Sequence, residues 1–250
     1  MKTLKTILLL TGALLCFQLS AQDKINQTDS QGRKQGTWKK AYDNVKVFKY
    51  VGQFKDDKPV GKFVYYRENG TVEAVIMFSE NGKVGRSTMY HNSGYVMAKG
   101  KYINQQKDSI WLYFDDRGYI SYQEKYANGK LNGQTVYYYQ PRDGKLPVAR
   151  YEYYKDGVLD GEFKEYHENM NLKAEGNYKN GNLHGTVRHY HGNGKLKKIA
   201  RYQYAVRHGF WIFYDESGKK VGDKLYWEGK LLKGAAREKK VAEMKAMDKN

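Results

Sequence analysis

Cysteine and proline are scarce in this chain, which has one cysteine and three prolines in 250 residues. The one cysteine, Cys16, lies in an N-terminal apolar stretch, so no disulfide can form within the rest of the chain. Long apolar runs are absent after residue 21, and we expect no transmembrane helix there. No phosphate-binding loop, nucleophile elbow, zinc signature or dinucleotide fingerprint occurs. We therefore expect no cofactor and no enzymatic activity.

Residues 1–21 are typical of an export signal. Two lysines precede a mostly apolar run over residues 7–17, and residues 19–21 form a small-residue cleavage end. The run is too short to span a membrane comfortably, which favours a cleaved signal over an anchor. Cys16 leaves a lipoprotein alternative open, although Leu15 precedes it where a small residue is usual. We expect an exported protein of the periplasm, the envelope or the extracellular space.

The chain is strongly basic, with a formal net charge of +17. This balance favours acidic partners such as anionic lipid, acidic polysaccharide, nucleic acid or an acidic protein. Export disfavours nucleic acid, which leaves a protein or an anionic envelope surface as the expected partner. The alternative is a charge that only keeps the protein soluble.

The dominant feature is a glycine anchor that recurs about every 24 residues, with an aromatic residue two or five positions later in most repeats. Ser109 replaces the glycine in one repeat. The repeats start at residues 36, 61, 85, 109, 133, 161, 185 and 209. One longer interval contains an insertion at residues 141–147, which a loop can absorb. Such a period indicates one small unit stacked many times, and favours an extended binding or scaffolding surface over a single catalytic pocket.

Each repeat contains two turn sequences of the Asn-Gly or Asp-Gly kind, separated by runs rich in Tyr, Phe, Val and Ile. The turn pairs supply the positive φ angles of tight hairpins, and the runs favour strands. We predict an all-β fold: an elongated single sheet of about eight stacked antiparallel β-hairpins over residues 22–234. A short helix should follow, as a charged tail or a cap over residues 235–250. Val241, Met244 and Met247 could pack along one side of it.

The second strand of each predicted hairpin ends in an aromatic residue, and small residues such as Gly100 and Gly176 precede it. We expect the Trp or Phe of a first strand to lie over these glycines. Stacked repeats would align the terminal rings in a ladder, with first-strand rings filling the spaces between them. The third repeat departs most, because Ser87 and Met89 occupy positions where aromatics are common.

The first-strand aromatics fall at positions of opposite parity. Trp38 and Trp111 should face one side of the sheet, and Tyr66 and Tyr138 the other. Either the sheet carries aromatics on both faces or a bulge intervenes.

Residues 180–185, followed by Val187 and Tyr190, resemble the MORN-repeat variant, as do residues 156–166. The resemblance covers about residues 29–234. It implies an elongated sheet of stacked hairpins, and bacterial members are often exported and often named as antitoxins of toxin–antitoxin systems. The parent repeat is associated with membrane or lipid contact and with scaffolding. No fixed set of site residues comes with the family.

Basic residues interleaved with aromatics are the best binding signal. They can hold anionic groups by charge while tyrosines stack on sugars or apolar matter. The alternative is that the lysines protect exposed sheet edges from aggregation. The candidate binding residues are Trp38, Tyr66, Trp111, Tyr138, Tyr166, Tyr190, Lys197, Arg201, Trp211 and Tyr214.

Histidines recur at equivalent positions, notably His91, His167 and His191. Equivalent positions about 10 Å apart cannot share one metal ion, which favours turn and strand-surface roles. Carboxylates such as Asp115 and Glu165 lie near strand ends, where they more often solvate an edge than catalyse. The favoured hypothesis is a non-catalytic exported repeat scaffold for protein or envelope-surface binding. An antitoxin-like binder and an enzyme with an unrecognised site are the alternatives.

Overall fold

The computed structural model describes residues 24–247, which form one antiparallel sheet of twenty strands and a single helix. The expected signal at residues 1–21 lies outside the described residues. The strands are β1 (Gln27–Thr28), β2 (Lys34–Ala41), β3 (Phe48–Lys55), β4 (Lys58–Tyr66), β5 (Val72–Ser79), β6 (Val84–Tyr90), β7 (Val96–Ile103), β8 (Gln106–Phe114), β9 (Ile120–Ala127), β10 (Lys130–Leu131), β11 (Gly133–Tyr138), β12 (Val148–Lys155), β13 (Val158–Tyr166), β14 (Leu172–Lys179), β15 (Asn182–Tyr190), β16 (Leu196–Gln203), β17 (Val206–Arg207), β18 (Gly209–Tyr214), β19 (Lys220–Trp227) and β20 (Lys230–Leu232). The predicted all-β repeat array is confirmed.

Neighbouring strands in the sequence pair with each other, so the sheet is a succession of hairpins. Strand β9 pairs with both β10 and β11, and β16 with both β17 and β18, because the strand breaks at Asn132 and at His208, directly before the glycine anchor. The predicted turn chemistry is confirmed: Asn180 and Gly181 have φ angles of 49° and 80°. Both angles lie in the left-handed region that two-residue hairpin loops require.

A bulge occurs at the same point of each first strand, between the fourth and fifth residues after the anchor. In the second repeat it separates Tyr65 from Tyr66. The sheet also carries aromatics on both faces. We call the side of Phe63 and Trp111 the aromatic face, and the side of Lys62 and its directly opposed partners the outer face. The sequence left two explanations open for the opposite parity of the first-strand aromatics, namely aromatics on both faces or a bulge, and the structure has both.

The core lies on the aromatic face, where rings alternate between first and second strands. Phe63 lies between Phe54 and Phe78, with centroid distances of 5.2 and 5.1 Å and edge-to-face geometry. Such pairs stabilise beyond the area that they bury. A Cβ atom on Gly52 would lie 2.3 Å from the Phe63 ring, so the ring rests on bare backbone. The predicted packing over glycine is confirmed, and the predicted ladder is confirmed in those repeats whose first strand supplies a ring.

The third repeat differs from the others, as its sequence predicted. Strands β5 and β6 pair in unbroken register through Gly85, whereas the other junctions between repeats slip or break at the anchor. The position two residues after the anchor, which we call the ring position, holds the buried Ser87. Its neighbour in the preceding strand, β5, is Ile76, whereas Phe63 and Trp111 rest on Gly52 and Gly100 of the strands that precede them. The ladder is therefore interrupted between Phe78 and Tyr102, and the fifth and seventh repeats also lack a ring at this position, where they hold Thr135 and Val187.

Successive repeats are also tied along one edge. In six of the eight repeats the side chain six residues after the anchor, which we call the tie position, donates a hydrogen bond to a backbone carbonyl of the next repeat. The ties are Tyr42 to Tyr66, Arg67 to Tyr90, His91 to Phe114, Tyr139 to Tyr166, His167 to Tyr190 and His191 to Tyr214. The three histidines therefore have the structural role that their spacing indicated.

The helix α1 (Gly234–Met247) lies against the last hairpin. Arg237 forms an ion pair with Asp223, and the Lys240 Nζ lies 4.1 Å from the Trp227 ring centroid. Met247 is 69 % exposed, so the expected packing of this methionine with the rest of the helix face is wrong. Among residues 24–247, no helix has both the length and the hydropathy that a membrane span requires.

Candidate interaction surface

The outer face carries a row of basic side chains across the second and third repeats. Lys62 is directly opposite Met77, Met77 is opposite Arg86, and Arg86 is opposite Lys101. Directly opposed residues of an antiparallel pair share one face and lie within about 5.5 Å at Cβ. We call these four residues the basic row. It places three cations side by side around a methionine that is 48 % exposed.

A shallow groove of about 370 Å³ runs beside the basic row. Lys99 adds a further cation to it, and Ile110, which is 52 % exposed, adds apolar surface. The Lys101 Nζ lies 3.5 Å from a carboxylate oxygen of Asp108. This partly exposed ion pair offsets one charge only in part, because water screens it. The groove therefore combines an excess of positive charge with exposed apolar side chains.

The C-terminal half of the outer face differs, because its carboxylates lie among its cations. Lys164 pairs with Glu162 at 2.9 Å, and Asp223 pairs with both Lys220 and Arg237. In these later repeats, carboxylates therefore offset part of the positive charge of the outer face.

The ten residues chosen from the sequence do not converge on one site. Trp111 is fully buried at 0 % exposure, and its Nε1–H donates to the Lys101 carbonyl. Trp38 and Trp211 are half-buried on the aromatic face. The tyrosines that follow the bulges are half-buried, and all but one of them supply a carbonyl to a tie: Tyr66, Tyr138, Tyr166, Tyr190 and Tyr214.

Lys197 and Arg201 are exposed, but they lie on either side of a bulge in the seventh repeat. Arg201 is directly opposite Thr186 on the outer face. Lys197 is the extra residue of the bulge, between Leu196 and Lys198, and has no directly opposed partner. The two cations therefore do not form one patch in the way that the three cations of the basic row do.

A polar cluster on the aromatic face was missed by the sequence reasoning. Glu152 is only 4 % exposed, forms an ion pair with Arg150 and accepts a hydrogen bond from the Tyr154 hydroxyl at 2.9 Å. It occupies the position that Gly176 holds one repeat later. A charged residue at a position that holds glycine in three other repeats is a signal that the sequence did contain.

The neighbouring repeat extends this cluster. The Lys107 Nζ donates to the Tyr113 hydroxyl at 2.7 Å and lies 4.7 Å from the Trp111 ring centroid. Burial lowers the pKa of Lys107. Burial also raises the pKa of Tyr126 to about 12, with a further contribution from its hydrogen bond to Glu124. The Tyr126 hydroxyl donates to Glu124 at 2.7 Å. These groups satisfy one another, which is the expected state of polar groups in a core.

The carboxylates named from the sequence have structural partners. Asp115 accepts hydrogen bonds from the backbone N–H groups of Arg117 and Tyr119, which lowers its pKa although desolvation opposes the shift. Glu165 pairs with Lys173 at 2.6 Å. Within residues 24–247, no three His, Cys, Asp or Glu side chains lie close enough together to hold a metal ion.

Two adjacent repeats match a known family. Residues 159–180 and 183–204 match the MORN repeat variant, and each match begins two residues before a glycine anchor. These segments contain most of β13 to β16 with their turns, and both repeats have a histidine tie, from His167 and from His191. No curated protein sequence matches the chain. The resemblance drawn from the repeat motifs is confirmed for these two repeats.

Proposed function

We propose that this MORN-repeat protein is a non-catalytic exported scaffold that binds an anionic partner surface through the basic row. The observation that carries the proposal is the alignment of Lys62, Arg86 and Lys101 on one exposed face. Aligned cations attract anions by their summed field, and neighbouring apolar side chains add contact area. Repeats of this family suggest a scaffold that contacts membranes or proteins.

An anionic phospholipid surface fits the basic row best, because an open sheet face with aligned cations can lie against the headgroups of a membrane. A lysine or arginine near an anionic membrane contributes roughly 1 kcal/mol of binding free energy. The exposed Met77 and Ile110 would contact the headgroup region from the same face. Export, with residues 1–21 as the signal, is part of the proposal, because it would bring the protein to an envelope membrane.

Sedimentation with lipid vesicles tests the proposal. The chain from residue 22 is mixed with vesicles of phosphatidylcholine alone or with added phosphatidylglycerol. We expect binding only to the anionic vesicles, and weaker binding at 1 M salt, where the screening length falls to about 3 Å. A chain that binds both vesicle types equally, or neither, contradicts a membrane partner.

A matched pair of variants tests the basic row itself. Replacing Lys62, Arg86 and Lys101 with Gln should weaken vesicle binding by roughly 100-fold, since three contributions of about 1 kcal/mol are lost. The control replaces three exposed lysines that lie outside the row, namely Lys179, Lys230 and Lys239. Both variants carry the same net charge. An equal loss in the control would show that total charge, and not this row, drives binding.

An acidic protein is the second candidate partner, and an antitoxin-like role would require one. The same cations would face it, so the same variants apply. Salt-sensitive capture of one acidic protein that is lost in the row variant, with no binding to vesicles, would favour this alternative. Steady-state assays that detect turnover abolished by Glu152→Gln or His189→Met would contradict the non-catalytic part of the proposal.

A further inference from the structure

A cavity of about 530 Å³ opens on the aromatic face where the ring ladder is interrupted. Phe78 and Tyr102 line it, and these are consecutive terminal rings of the ladder. In the preceding repeat the space between Phe54 and Phe78 is filled by Phe63, which contacts both rings edge-to-face. The cavity thus lies where the second and fourth repeats, on either side, have the rings of Phe63 and Trp111.

The missing ring follows from a local exchange of side-chain sizes. At the junctions before and after this one a glycine lies beneath a large ring: Gly52 beneath Phe63 and Gly100 beneath Trp111. In the third repeat the order is reversed, because Ile76 takes the glycine position and the buried Ser87 takes the ring position. Ile76 fills the floor of the space but cannot reach between the flanking rings. Unlike a packing defect that neighbouring side chains close, this space stays open at the surface.

The lining of the cavity defines the chemistry of an occupant. Its walls are mostly aromatic, and its charged side chain is Lys83, with no carboxylate among the lining residues. Gln105, Tyr65 and Tyr102 add polar atoms. Burial raises the pKa of both tyrosines, so their hydroxyls remain protonated at neutral pH and can donate hydrogen bonds. A mostly apolar cavity with a few polar groups and a volume between about 300 and 1,000 Å³ is typical of small-molecule sites.

We propose that this cavity binds a small planar aromatic carboxylate. The ring of the ligand takes the place of the missing ladder ring between Phe78 and Tyr102. The carboxylate lies towards Lys83, where the charge of the lysine and the lack of acidic neighbours favour an anion. The site is separate from the basic row, because its lining residues lie on the opposite face of the sheet.

Titration calorimetry with three probes tests the proposal. Indole-3-acetate carries both the ring and the anion, indole carries only the ring, and acetate carries only the anion. We expect indole-3-acetate to bind at least tenfold more tightly than indole, and acetate to give no measurable binding. No binding of indole-3-acetate, or binding of acetate as tight as that of indole-3-acetate, would overturn the proposal.

Two variants locate the binding. Ile76→Phe should fill the floor of the cavity and abolish binding of indole-3-acetate and indole alike. Ile110→Phe makes the same change on the outer face, where the side chain is 52 % exposed, and should leave binding unchanged. Equal effects of the two changes would contradict the assignment to this cavity.

Lys83→Gln keeps the test valid if Ile76→Phe fails to fold, since Lys83 is exposed. This variant should weaken indole-3-acetate to the affinity of indole and leave indole itself unaffected. Unchanged affinity for indole-3-acetate would remove the lysine from the site and overturn the proposed ligand class.

Discussion

The indole ring of Trp111 lies directly on the backbone of Gly100. A Cβ atom on this glycine would be 2.1 Å from the ring, a distance that real Cβ atoms do not adopt. The φ angle of Gly100 is not in the left-handed region, so space and not backbone conformation requires glycine here. This contact joins the third repeat to the fourth and leaves Trp111 with no exposed surface.

Gly100→Ala should therefore destabilise the protein. The added methyl group must displace a ring that is confined on all sides, and overpacking of this kind typically costs about 1–3 kcal/mol. Urea unfolding followed by tryptophan fluorescence measures the change in the free energy of unfolding.

Gly222→Ala is the matched control, because Gly222 also lies in a strand without a positive φ, and an added methyl group there would meet no neighbouring atom of the described chain within 4 Å. We expect its effect to stay within about 0.5 kcal/mol. Equal losses would point to strand propensity instead of ring packing.

The tie from His191 predicts a position-specific exchange. Its ring nitrogen lies 3.1 Å from the Tyr214 carbonyl, and because the acceptor is a carbonyl the nitrogen must carry the proton. His191→Phe removes the donor and should cost about 0.5–1.5 kcal/mol in unfolding free energy. His191→Tyr should cost less, because tyrosines make the equivalent tie in other repeats, as Tyr139 does to Tyr166 at 2.7 Å. A tyrosine variant as unstable as the phenylalanine variant would show that the hydrogen bond is not what stabilises this edge.

The hairpin array could be predicted because its determinants are local. Asn180 and Gly181 specify a tight turn through their own backbone preferences, and they recur at a fixed period. Ring packing over glycine was predictable for the same reason, since Gly100 and Trp111 lie only 11 residues apart in adjacent strands. Each of these features needs only one hairpin and its neighbour.

The basic row could not be predicted, because it depends on register across several strands. Lys62, Arg86 and Lys101 become neighbours only through three consecutive strand pairings. A bulge in each repeat shifts the alternation of faces by one residue, and a shift of one residue moves a side chain to the opposite face. Lys197 shows the consequence. It is close to Arg201 in sequence, but Lys197 lies at a bulge where it has no directly opposed partner, whereas Arg201 lies in the regularly paired part of the strand.

The aromatic face contains a histidine that should make stability depend on pH. Burial, with a contribution from Lys198, lowers the pKa of His189 to about 4. The unfolded chain binds this proton as the pH falls through about 6.5, whereas the folded chain binds it only near 4. Between these values the unfolded state holds more protons, so stability decreases as the pH falls through that window and stays level below it.

His189→Met should remove this part of the pH dependence, because Met89 holds the equivalent position in the third repeat. Urea unfolding at pH 7 and pH 5 measures it. We expect the loss of unfolding free energy between the two pH values to be smaller in the variant than in the unchanged chain. The carboxylates titrate in both proteins and cancel in the comparison. Equal losses in the two proteins would show that His189 titrates in the folded state as it does in water.

The ion pair of Glu152 and Arg150 gives a test of the polar cluster. Arg150→Met leaves a carboxylate with 4 % exposure without its cation. Removing one partner of a fully buried pair costs about 3–5 kcal/mol, and we expect about 2–3 kcal/mol here because the Arg150 side chain is 35 % exposed.

The double variant Arg150→Met/Glu152→Ala removes both charges, and Ala200 shows that the chain accepts alanine at the equivalent position of the seventh repeat. We expect it to be more stable than the sum of the two single losses implies, because no unpaired charge remains buried. Urea unfolding of the four proteins gives the coupling free energy of the pair. Strictly additive losses would mean that the carboxylate is held by the Tyr154 hydroxyl and by water, and that the guanidinium contributes only its packing against Phe163, whose ring centroid lies 5.7 Å away.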